Sequence, residues 1–402
     1  MESATIYLPP PDIRWRACFH ESAGIWDLLL GRVSNGNFTA WPQFENRDVI
    51  PSYQGSTAIF HMCEHFGLGD SAEVLIPAYN CGSEIDPFIY RGVQSTPYRV
   101  GLDTRIDFDD IQRKVTRKTK AIYVTHYFGW PQEMEPLLEF CKQNNILLLE
   151  DCALSLFSKY KNRPLGTIGD ASIFSIRKYF PIPDGGALLI NSSDKKTYID
   201  LDPPPANVTR KDIRPLIMRS LSHTIAQMGL HGYKQWLKFR IRKPLILPAE
   251  EQEFPAMLQS KYYDPRKTYW SISRLSLSML RRVDPVSVVQ TRRANYKRLE
   301  ENLADIQNVT PLYKDLPRDV CPLFFPVIVE NRRKWVTALS MYGVGVYPFW
   351  MTYHPGVRWE EYPEARYLKD NVLTLPVHQQ LTESHMDTIA EILRMIQRQV
   401  IR

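Results

Sequence analysis

The chain has 402 residues, of which 44% are hydrophobic and 23% are charged, and its formal net charge is +6. This length predicts a large domain with a smaller one, and no uncharged apolar run approaches the ~20 residues of a membrane-spanning helix. The first thirty residues mix charges, prolines and aromatics, so no signal peptide is expected. The six cysteines are scattered without a CxxC pair, which favours a cytoplasmic protein with reduced thiols and no metal site.

Short apolar strands alternate with helical stretches between about residues 55 and 190. Segments 74–77, 121–127 and 146–151 are strand-like, and segment 131–145 has apolar residues at helical spacing. This alternation predicts an α/β fold with a mostly parallel sheet. In such sheets, ligands bind at the carboxyl ends of the strands.

A basic region follows. Residues 209–248 contain nine Lys and Arg residues against one acid, Asp212. Three interpretations stay open: a solvated helical face, a surface for an anionic nucleotide or partner, and a weak membrane-surface contact through Trp236 and Phe239. No nucleic-acid-binding motif is present, so no nucleic-acid partner is expected.

The C-terminal part has a mixed pattern of helices and strands, typical of a small α+β domain. Its predicted elements are helices 291–304, 331–342 and 382–398 and strand 323–329. We therefore predict a large cofactor-binding domain over 1–200, a basic helical insert or linker over 201–285, and a small α+β domain over 286–402.

The first candidate binding residues are Gly55, Ser56 and Thr57, at the start of an amphipathic helical segment. A helix N-terminus with free N–H groups and short hydroxyl side chains suits a phosphate group. An ordinary N-cap has the same composition, so the pattern alone does not decide.

Two further candidates follow predicted strands. Asp151 ends the buried segment "ILLLED", where a carboxylate serves either as a salt-bridge or cap residue or as the partner of a pyridine nitrogen. Lys178 follows Ser175 in a Ser-x-x-Lys pattern, and Asp184-Gly185-Gly186 comes next. This stretch is either a surface turn or a loop that presents a reactive lysine to a cofactor.

The order of these features is more specific than any one of them. A phosphate cup, a strand-end Asp, Ser-x-x-Lys and a glycine turn follow one another. The stretches "YQGSTAIFHMCEHFGLGDSAEVLIPAY", "TRKTKAIYVTHYFGWPQEMEPLLEFCKQNNILLLEDCA", "YKNRPLGTIGDASIFSIRKYFPIPDGGALLI" and "VLTLPVHQQLT" resemble the DegT/StrS-type aminotransferases. These are fold-type I enzymes that use pyridoxal 5′-phosphate (PLP), and many of them aminate nucleotide-linked keto-sugars.

The resemblance implies roles for individual residues. Lys178 matches the lysine that binds the cofactor covalently, and Asp151 matches the carboxylate beneath the pyridine nitrogen. Gly55 and Ser56 match the phosphate cup, and Ser175 matches a serine that also contacts the phosphate.

The aromatic residue that stacks on the ring has a less direct counterpart. Tyr79 lies near its position, whereas strict alignment places Cys81 there. The family's Gln or His three residues after the Asp is Leu154, and its Asn-Tyr-Arg motif has no clear counterpart near 264–270.

The resemblance also implies an activity and partners. We expect a homodimer that transfers an amino group, with glutamate as donor, to a keto-sugar for polysaccharide or secondary-metabolite biosynthesis. The departures leave two alternatives: a PLP enzyme with a non-sugar substrate, and a non-catalytic regulatory or membrane-associated protein of the same fold.

Three remaining features have paired interpretations. His126 either approaches the cofactor or is a structural histidine, and Arg177 pairs either with a phosphate or with a surface acid. The aromatic stretch 348–356 either walls the substrate pocket or packs in the core.

Overall fold

The protein is built on a seven-stranded and a four-stranded sheet, seen in a computed structural model that describes residues 41–191, 198–227, 263–281 and 283–400. The strands of the described residues are β1 (Asp48–Ser52), β2 (Glu73–Pro77), β3 (Gln94–Tyr98), β4 (Thr119–Thr125), β5 (Leu147–Asp151), β6 (Lys159–Tyr160), β7 (Arg163–Pro164), β8 (Ala171–Phe174), β9 (Gly186–Ile190), β10 (Thr310–Pro311), β11 (Phe325–Ile328), β12 (Tyr347–Pro348) and β13 (Val372–Leu375).

Helices flank both sheets. In the same residues they are α1 (Gly55–His65), α2 (Ile85–Tyr90), α3 (Phe108–Lys114), α4 (Met134–Asn144), α5 (Ala206–Gln227), α6 (Arg274–Leu280), α7 (Pro285–Leu303), α8 (Arg332–Met341), α9 (Pro363–Asn371) and α10 (Glu383–Val400).

The large sheet has the strand order β1-β9-β8-β5-β4-β2-β3. Its neighbours from β8 to β3 are parallel, and β9 and β1 are added antiparallel at one edge. Strands β2 and β8 are buried at every position because helices cover both faces of the sheet. The predicted α/β fold with a mostly parallel sheet is confirmed.

The small sheet is antiparallel, with the order β10-β11-β13-β12. It shares a core with α7, α8 and α10, in which apolar side chains such as Leu299, Val327, Leu339, Leu373 and Ile389 are buried. The position of this sheet agrees with the α+β pattern of the C-terminal sequence. The exact division into 1–200, 201–285 and 286–402 stays a prediction.

Part of the predicted basic insert lies outside the described residues. The described residues do not include 228–262, which contain Trp236 and Phe239, or 1–40. Helix α5 covers the first half of the basic region, and Asp212 on this helix accepts a hydrogen bond from the hydroxyl of Tyr53. Within the described ranges, every helix is too short or too polar to cross a membrane.

Candidate active site

The carboxyl ends of three parallel strands bring the predicted catalytic residues together. Asp151 at the end of β5 is in register with Thr125 on β4 and Ile173 on β8. The turn after β8 carries Ser175 and Lys178, so these side chains lie at the same edge of the sheet as Asp151. This is the edge where parallel sheets bind ligands.

Asp151 is a buried carboxyl group whose proton affinity is high. Burial, and after it the negative charge of Glu84, raise the pKa of Asp151 from 3.8 to about 6, although the amine of Lys178 and the N–H of Ala153 oppose the rise. The Ala153 N–H donates to Oδ1 of Asp151 at 2.8 Å. Strand-end placement and this raised pKa make Asp151 suited to holding a proton on a cationic ring nitrogen.

Lys178 ends a single 3₁₀ turn, Ile176–Lys178, directly after β8. Its backbone N–H donates to the carbonyl of Ser175 at 3.1 Å, which fixes the origin of the side chain. Within the described residues, the Lys178 amine makes no hydrogen bond or ion pair, and the side chain is half-buried. A partly sheltered amine without a structural partner is available for covalent chemistry.

Two side chains from the C-terminal part hold the chain just after Lys178. Arg292 on α7 is fully buried, and its Nη2 donates to the carbonyl of Tyr179 at 3.3 Å. Gln379 donates to the same carbonyl at 3.0 Å and accepts from Arg292 Nε at 2.8 Å. The Tyr179 hydroxyl in turn donates to the carbonyl of Leu154 at 3.0 Å. The chain just after Lys178 is therefore held in place by α7 and by the segment that follows β13.

Sequence reasoning did not find this support. Arg292 lies in a polar helical stretch, where an arginine is usually a surface residue. Gln379 lies in the quoted stretch "VLTLPVHQQLT", so its place in a family-like motif was the one available signal.

The N-terminus of α1 lies beside the reactive loop. A Cβ atom built on Gly55 would be 3.7 Å from the Cβ of Ser175. The Ser56 hydroxyl accepts from the Gln54 side chain at 2.7 Å and keeps its own proton for a ligand. The Ser175 hydroxyl makes no hydrogen bond to a described residue. Gly55, Ser56 and Ser175 thus form one cup with a positive helix end, suited to a phosphate.

Thr57 has a different role from its neighbours. Its hydroxyl donates to the carbonyl of Gln54 at 2.7 Å and accepts from the Gln54 N–H at 3.2 Å, as in a helix cap. The side chain is fully buried. Phosphate binding by Thr57 stays a prediction, and this geometry does not favour it.

The donor set fits a PLP molecule. It combines a free amine, a carboxyl group at the strand ends and a phosphate cup. Two buried hydroxyl groups at the same edge, on Tyr123 and Thr125, have no hydrogen-bond partner among the described residues. The Tyr123 hydroxyl lies near Asp151 but outside hydrogen-bond geometry. Buried polar groups left without partners indicate a site built for a polar ligand.

Comparison with known proteins identifies the group to which this site belongs. The sequence matches the DegT/DnrJ/EryC1/StrS aminotransferase family over residues 43–202 and 273–394. The chain belongs to this family. The predictions of an aminotransferase of this family and of PLP as its cofactor are therefore confirmed.

Individual relatives of this aminotransferase are distant. GDP-perosamine synthase of Escherichia coli O157:H7 is 28% identical over 261 residues, which are 60% of this chain and 71% of that protein. Spore coat polysaccharide biosynthesis protein SpsC of Bacillus subtilis is 22% identical over 365 residues, 85% of this chain and 83% of that protein. The solved Streptococcus pneumoniae protein Spr1654, in its PMP form, has a TM-score of 0.69 at 18% identity, covering 98% of each chain.

The structure separates the two candidates for the residue beside the ring. Tyr79 is fully buried, and its ring packs against Tyr127 at 5.3 Å and Trp350 at 4.8 Å. Cys81 is half-buried and lies near Lys178. Burial raises the pKa of the Cys81 thiol, and the charge of Lys178 opposes this rise. Stacking by Tyr79 stays a prediction, and the geometry of this aminotransferase favours Cys81.

His126 has a structural role. Its Nδ1 accepts from the Gln132 N–H at 3.1 Å, so Nε2 carries the proton and donates to Glu150 at 3.1 Å. Cys152 lies within 4.8 Å of both ligand atoms. Since both nitrogens of the imidazole are used in hydrogen bonds, His126 has no lone pair left for a metal.

The aromatic stretch 348–356 is mainly core. Phe349 and Trp350 are both buried in the core of the large sheet. Arg177, next to the reactive lysine, is exposed and lies near the hydroxyl of Tyr53. Burial and Asp212 raise the pKa of this hydroxyl, and the charge of Arg177 opposes the rise.

Proposed function

We propose that this aminotransferase transfers an amino group from glutamate to a nucleotide-linked keto-sugar in polysaccharide or secondary-metabolite biosynthesis. One observation carries the proposal: the free amine of Lys178 and the carboxyl group of Asp151 meet at the strand ends, beside a phosphate cup. The similarity of the chain to GDP-perosamine synthase and to spore coat polysaccharide biosynthesis protein SpsC supports the substrate class.

The residues divide the work as follows. PLP, when bound, supplies an electron sink that stabilises the carbanion formed at Cα of the amino donor. Gly55, Ser56 and Ser175 bind the phosphate, and Asp151 holds the proton on the ring nitrogen. The amine of Lys178 carries the cofactor and then moves the proton between Cα of the donor and C4′ of the cofactor. Arg292 keeps the loop after Lys178 in place while the amine moves.

An anionic substrate is consistent with the charges at this edge. Arg177 is exposed beside the reactive lysine, and the amine of Lys267 lies 4.8 Å from the centre of the Tyr53 ring. Tyr53 lies two residues before Gly55 of the phosphate cup, and its carbonyl accepts from the N–H of Gly185 in the glycine turn. Since Lys267 contacts Tyr53 and the Arg177 N–H donates to the carbonyl of Gly185, both cations lie near the cup. A nucleotide diphosphate is the kind of group that such cations attract.

The assembly is also part of the proposal. We propose a homodimer, because fold-type I sites are typically built at a subunit interface, and a cytoplasmic location, because the described cysteines are free. The basic region 209–248 is proposed to make at most a weak contact with a membrane surface. Light scattering tests the dimer, and a fully active monomer would contradict it.

The activity is tested in two stages. Adding glutamate to the PLP-loaded protein should convert the visible absorption band to that of pyridoxamine phosphate. Keto-sugars linked to GDP or dTDP should then restore the band and give an amino-sugar detectable by mass spectrometry, whereas the same keto-sugars without a nucleotide should give little product. Lys178→Ala is the control that should do neither.

The outcomes separate the alternatives. An unchanged band with every amino donor supports a non-catalytic protein of this fold. Conversion by glutamate without a product from any sugar supports a non-sugar substrate. Product from the free sugar alone overturns the nucleotide linkage and leaves the sugar.

A further inference from the structure

A buried hydroxyl group beside Asp151 has no hydrogen-bond partner. Thr125 is the last residue of β4 and is only 1% exposed. Its Oγ1 is buried and makes no hydrogen bond to a described residue. Because a buried hydroxyl group without a hydrogen bond costs free energy, such groups are rare in folded proteins. At the edge where a parallel sheet binds ligands, this orphaned hydroxyl indicates a polar partner that the ligand supplies.

Backbone pairing places Thr125 next to Asp151. The two residues are partners in the register of β4 and β5. The N–H of His126, the residue after Thr125, donates to the carbonyl of Asp151 at 3.1 Å. Neighbouring strands lie about 4.8 Å apart, and paired residues project from the same face of a pleated sheet. The side chains of Thr125 and Asp151 therefore stand side by side on one face.

The same face carries the phosphate cup. Asp151 is also paired with Ile173 on β8. The Cδ1 atom of Ile173 would lie 3.5 Å from a Cβ atom on Gly55, so the N-terminus of α1 packs over this end of the row. Thr125, Asp151 and Ile173 thus form a row across β4, β5 and β8. The phosphate cup and Thr125 lie on opposite sides of Asp151.

The substituents of the PLP ring follow the same order. The phosphate arm is attached to C5 and an oxygen is attached to C3, so they lie on opposite sides of the line from the ring nitrogen to C4. With the phosphate in the cup over β8 and the ring nitrogen at Asp151 on β5, the C3 oxygen is directed towards β4. Thr125 is the residue that offers a hydroxyl group on that side.

The other side chains near this position are less suitable donors. Both nitrogens of His126 are used in hydrogen bonds, and the Tyr127 hydroxyl donates to a backbone carbonyl at 2.7 Å. Leu154, three residues after Asp151, has no polar atom in its side chain. The Tyr123 hydroxyl also lacks a partner among the described residues, but Tyr123 is two positions further from the edge of the sheet.

We propose that the hydroxyl group of Thr125 donates a hydrogen bond to the C3 oxygen of PLP and so fixes the orientation of the ring over Asp151. The inference rests on the proposed function, because it takes Asp151 to be the partner of the ring nitrogen and Gly55 to be part of the phosphate cup. The C3 oxygen is negatively charged in bound PLP, and hydrogen bonds to charged acceptors are stronger than those to neutral ones. Thr125 therefore holds the ring at a third point.

The test compares two ligands of the apoprotein, PLP and 3-deoxypyridoxal 5′-phosphate, which lacks the C3 oxygen. Fluorescence titration measures the affinity of each. Thr125→Val keeps the shape of the side chain and removes a hydroxyl that bonds to no described residue, so this variant should fold. Its affinity for PLP should fall about tenfold, whereas its affinity for the analogue should stay at the wild-type value. Comparing each ligand between wild type and variant cancels the chemical difference between the two ligands.

Three further variants control the result. Thr125→Ser keeps a hydroxyl group and should keep most of the preference for PLP. Tyr123→Phe removes the other orphaned hydroxyl, and any loss of affinity should be equal for the two ligands. Thr119→Val makes the same substitution at the opposite end of β4, where the hydroxyl donates to Glu73 at 2.6 Å. This variant should unfold at lower urea concentration but keep the preference for PLP.

The inference and the proposed function fail separately. An unchanged affinity for PLP in Thr125→Val, or an equal loss for both ligands, overturns the role of Thr125. A loss confined to PLP in Tyr123→Phe but absent from Thr125→Val overturns it as well. In each of these cases the aminotransferase reaction stands if glutamate converts the visible band of the wild-type protein. A band that glutamate leaves unchanged overturns the proposed function, whereas the titrations, which involve no amino donor, still decide how Thr125 binds the ring.

Discussion

Gly186 lies so close to Gly55 that a Cβ atom on Gly186 would be 2.8 Å from the Gly55 nitrogen and 2.5 Å from the carbonyl carbon of Gln54. Gly186 begins β9 and is in register with Ser52 of β1, directly before α1. The glycine turn after the reactive lysine therefore sets the position of the helix N-terminus that forms the phosphate cup.

We expect Gly186→Ala to weaken cofactor binding at least about tenfold, because the new methyl group must push the Gln54–Gly55 backbone out of place. Titration of the apoprotein with PLP measures the loss. Gly69→Ala is the matched control, because a Cβ there meets only the carbonyl of Arg91 at 3.8 Å, an ordinary contact. Equal PLP affinities in the two variants would show that the close approach is unimportant.

The fold could be predicted because its signal is local. Alternating buried strands and helices produce a parallel sheet, and the residues that end strands, such as Asp151, must then lie at one edge. The predicted strand 146–151 is observed as Leu147–Asp151, and the predicted helix 131–145 as Met134–Asn144. Boundaries shift by a few residues, since helix ends depend on capping.

The supporting residues of the site could not be predicted because their signal is not local. In the sequence Thr125 is an ordinary strand residue, and its position beside Asp151 depends on the register of β4 and β5. Arg292 meets Tyr179 from a helix more than a hundred residues away. Position in the sequence predicts Thr57 at the phosphate, and this stays a prediction; the cap made by its hydroxyl is visible only in the structure.

Lys178 should be the residue that borohydride labels. Reduction of the PLP-loaded protein followed by peptide mapping should place the pyridoxyl group on Lys178, because its amine has no competing partner among the described residues. Lys178→Ala should stay folded, retain some PLP through the phosphate cup, and lose both label and activity. Lys161→Ala, at an exposed lysine paired with Glu135, is the control that keeps both. A label on Lys369 instead would mean that the site has been assigned to the wrong lysine.

Asp151→Asn should lower turnover about 10²- to 10⁴-fold, because a neutral amide cannot stabilise the ring-nitrogen proton. The activity assay with glutamate and a keto-sugar measures this effect. Wild-type turnover in the variant would show that another group protonates the ring.

The same substitution should stabilise the apoprotein. The pKa of Asp151 is raised from 3.8 to about 6 by burial and Glu84, so the folded state binds a proton more readily than the unfolded chain. The cost of the buried charge is fully present above pH 6 and disappears as the pH falls below 3.8. At pH 8, Asp151→Asn should therefore unfold in urea with a free energy higher by roughly 3 kcal/mol, and near pH 4 the difference should shrink. Urea curves that keep a constant separation across this window would contradict the assignment.

Lys369 is a buried lysine that joins α9 to the loop before Cys81. It is fully buried, donates to the carbonyls of Asn80 and Thr352, and lies 4.6 Å from the centre of the Trp359 ring. Burial is the main cause that lowers the pKa of Lys369 from 10.5 to about 8; Arg332 acts in the same direction, and Cys81, Glu84 and Asp370 oppose it.

This lowered pKa predicts a stability that rises with pH. Between about pH 8 and pH 10.5, folded Lys369 has lost its proton while the unfolded chain still binds one. The wild-type protein should therefore gain on the order of 3 kcal/mol in unfolding free energy across this window, relative to Lys369→Met and Lys369→Arg, neither of which titrates there. Urea unfolding at a series of pH values measures the two differences. Both differences should rise by the same amount, because only the wild-type protein loses a proton at position 369 in this pH window. Differences that stay constant with pH would mean that the carbonyl partners stabilise the ammonium group as well as water does.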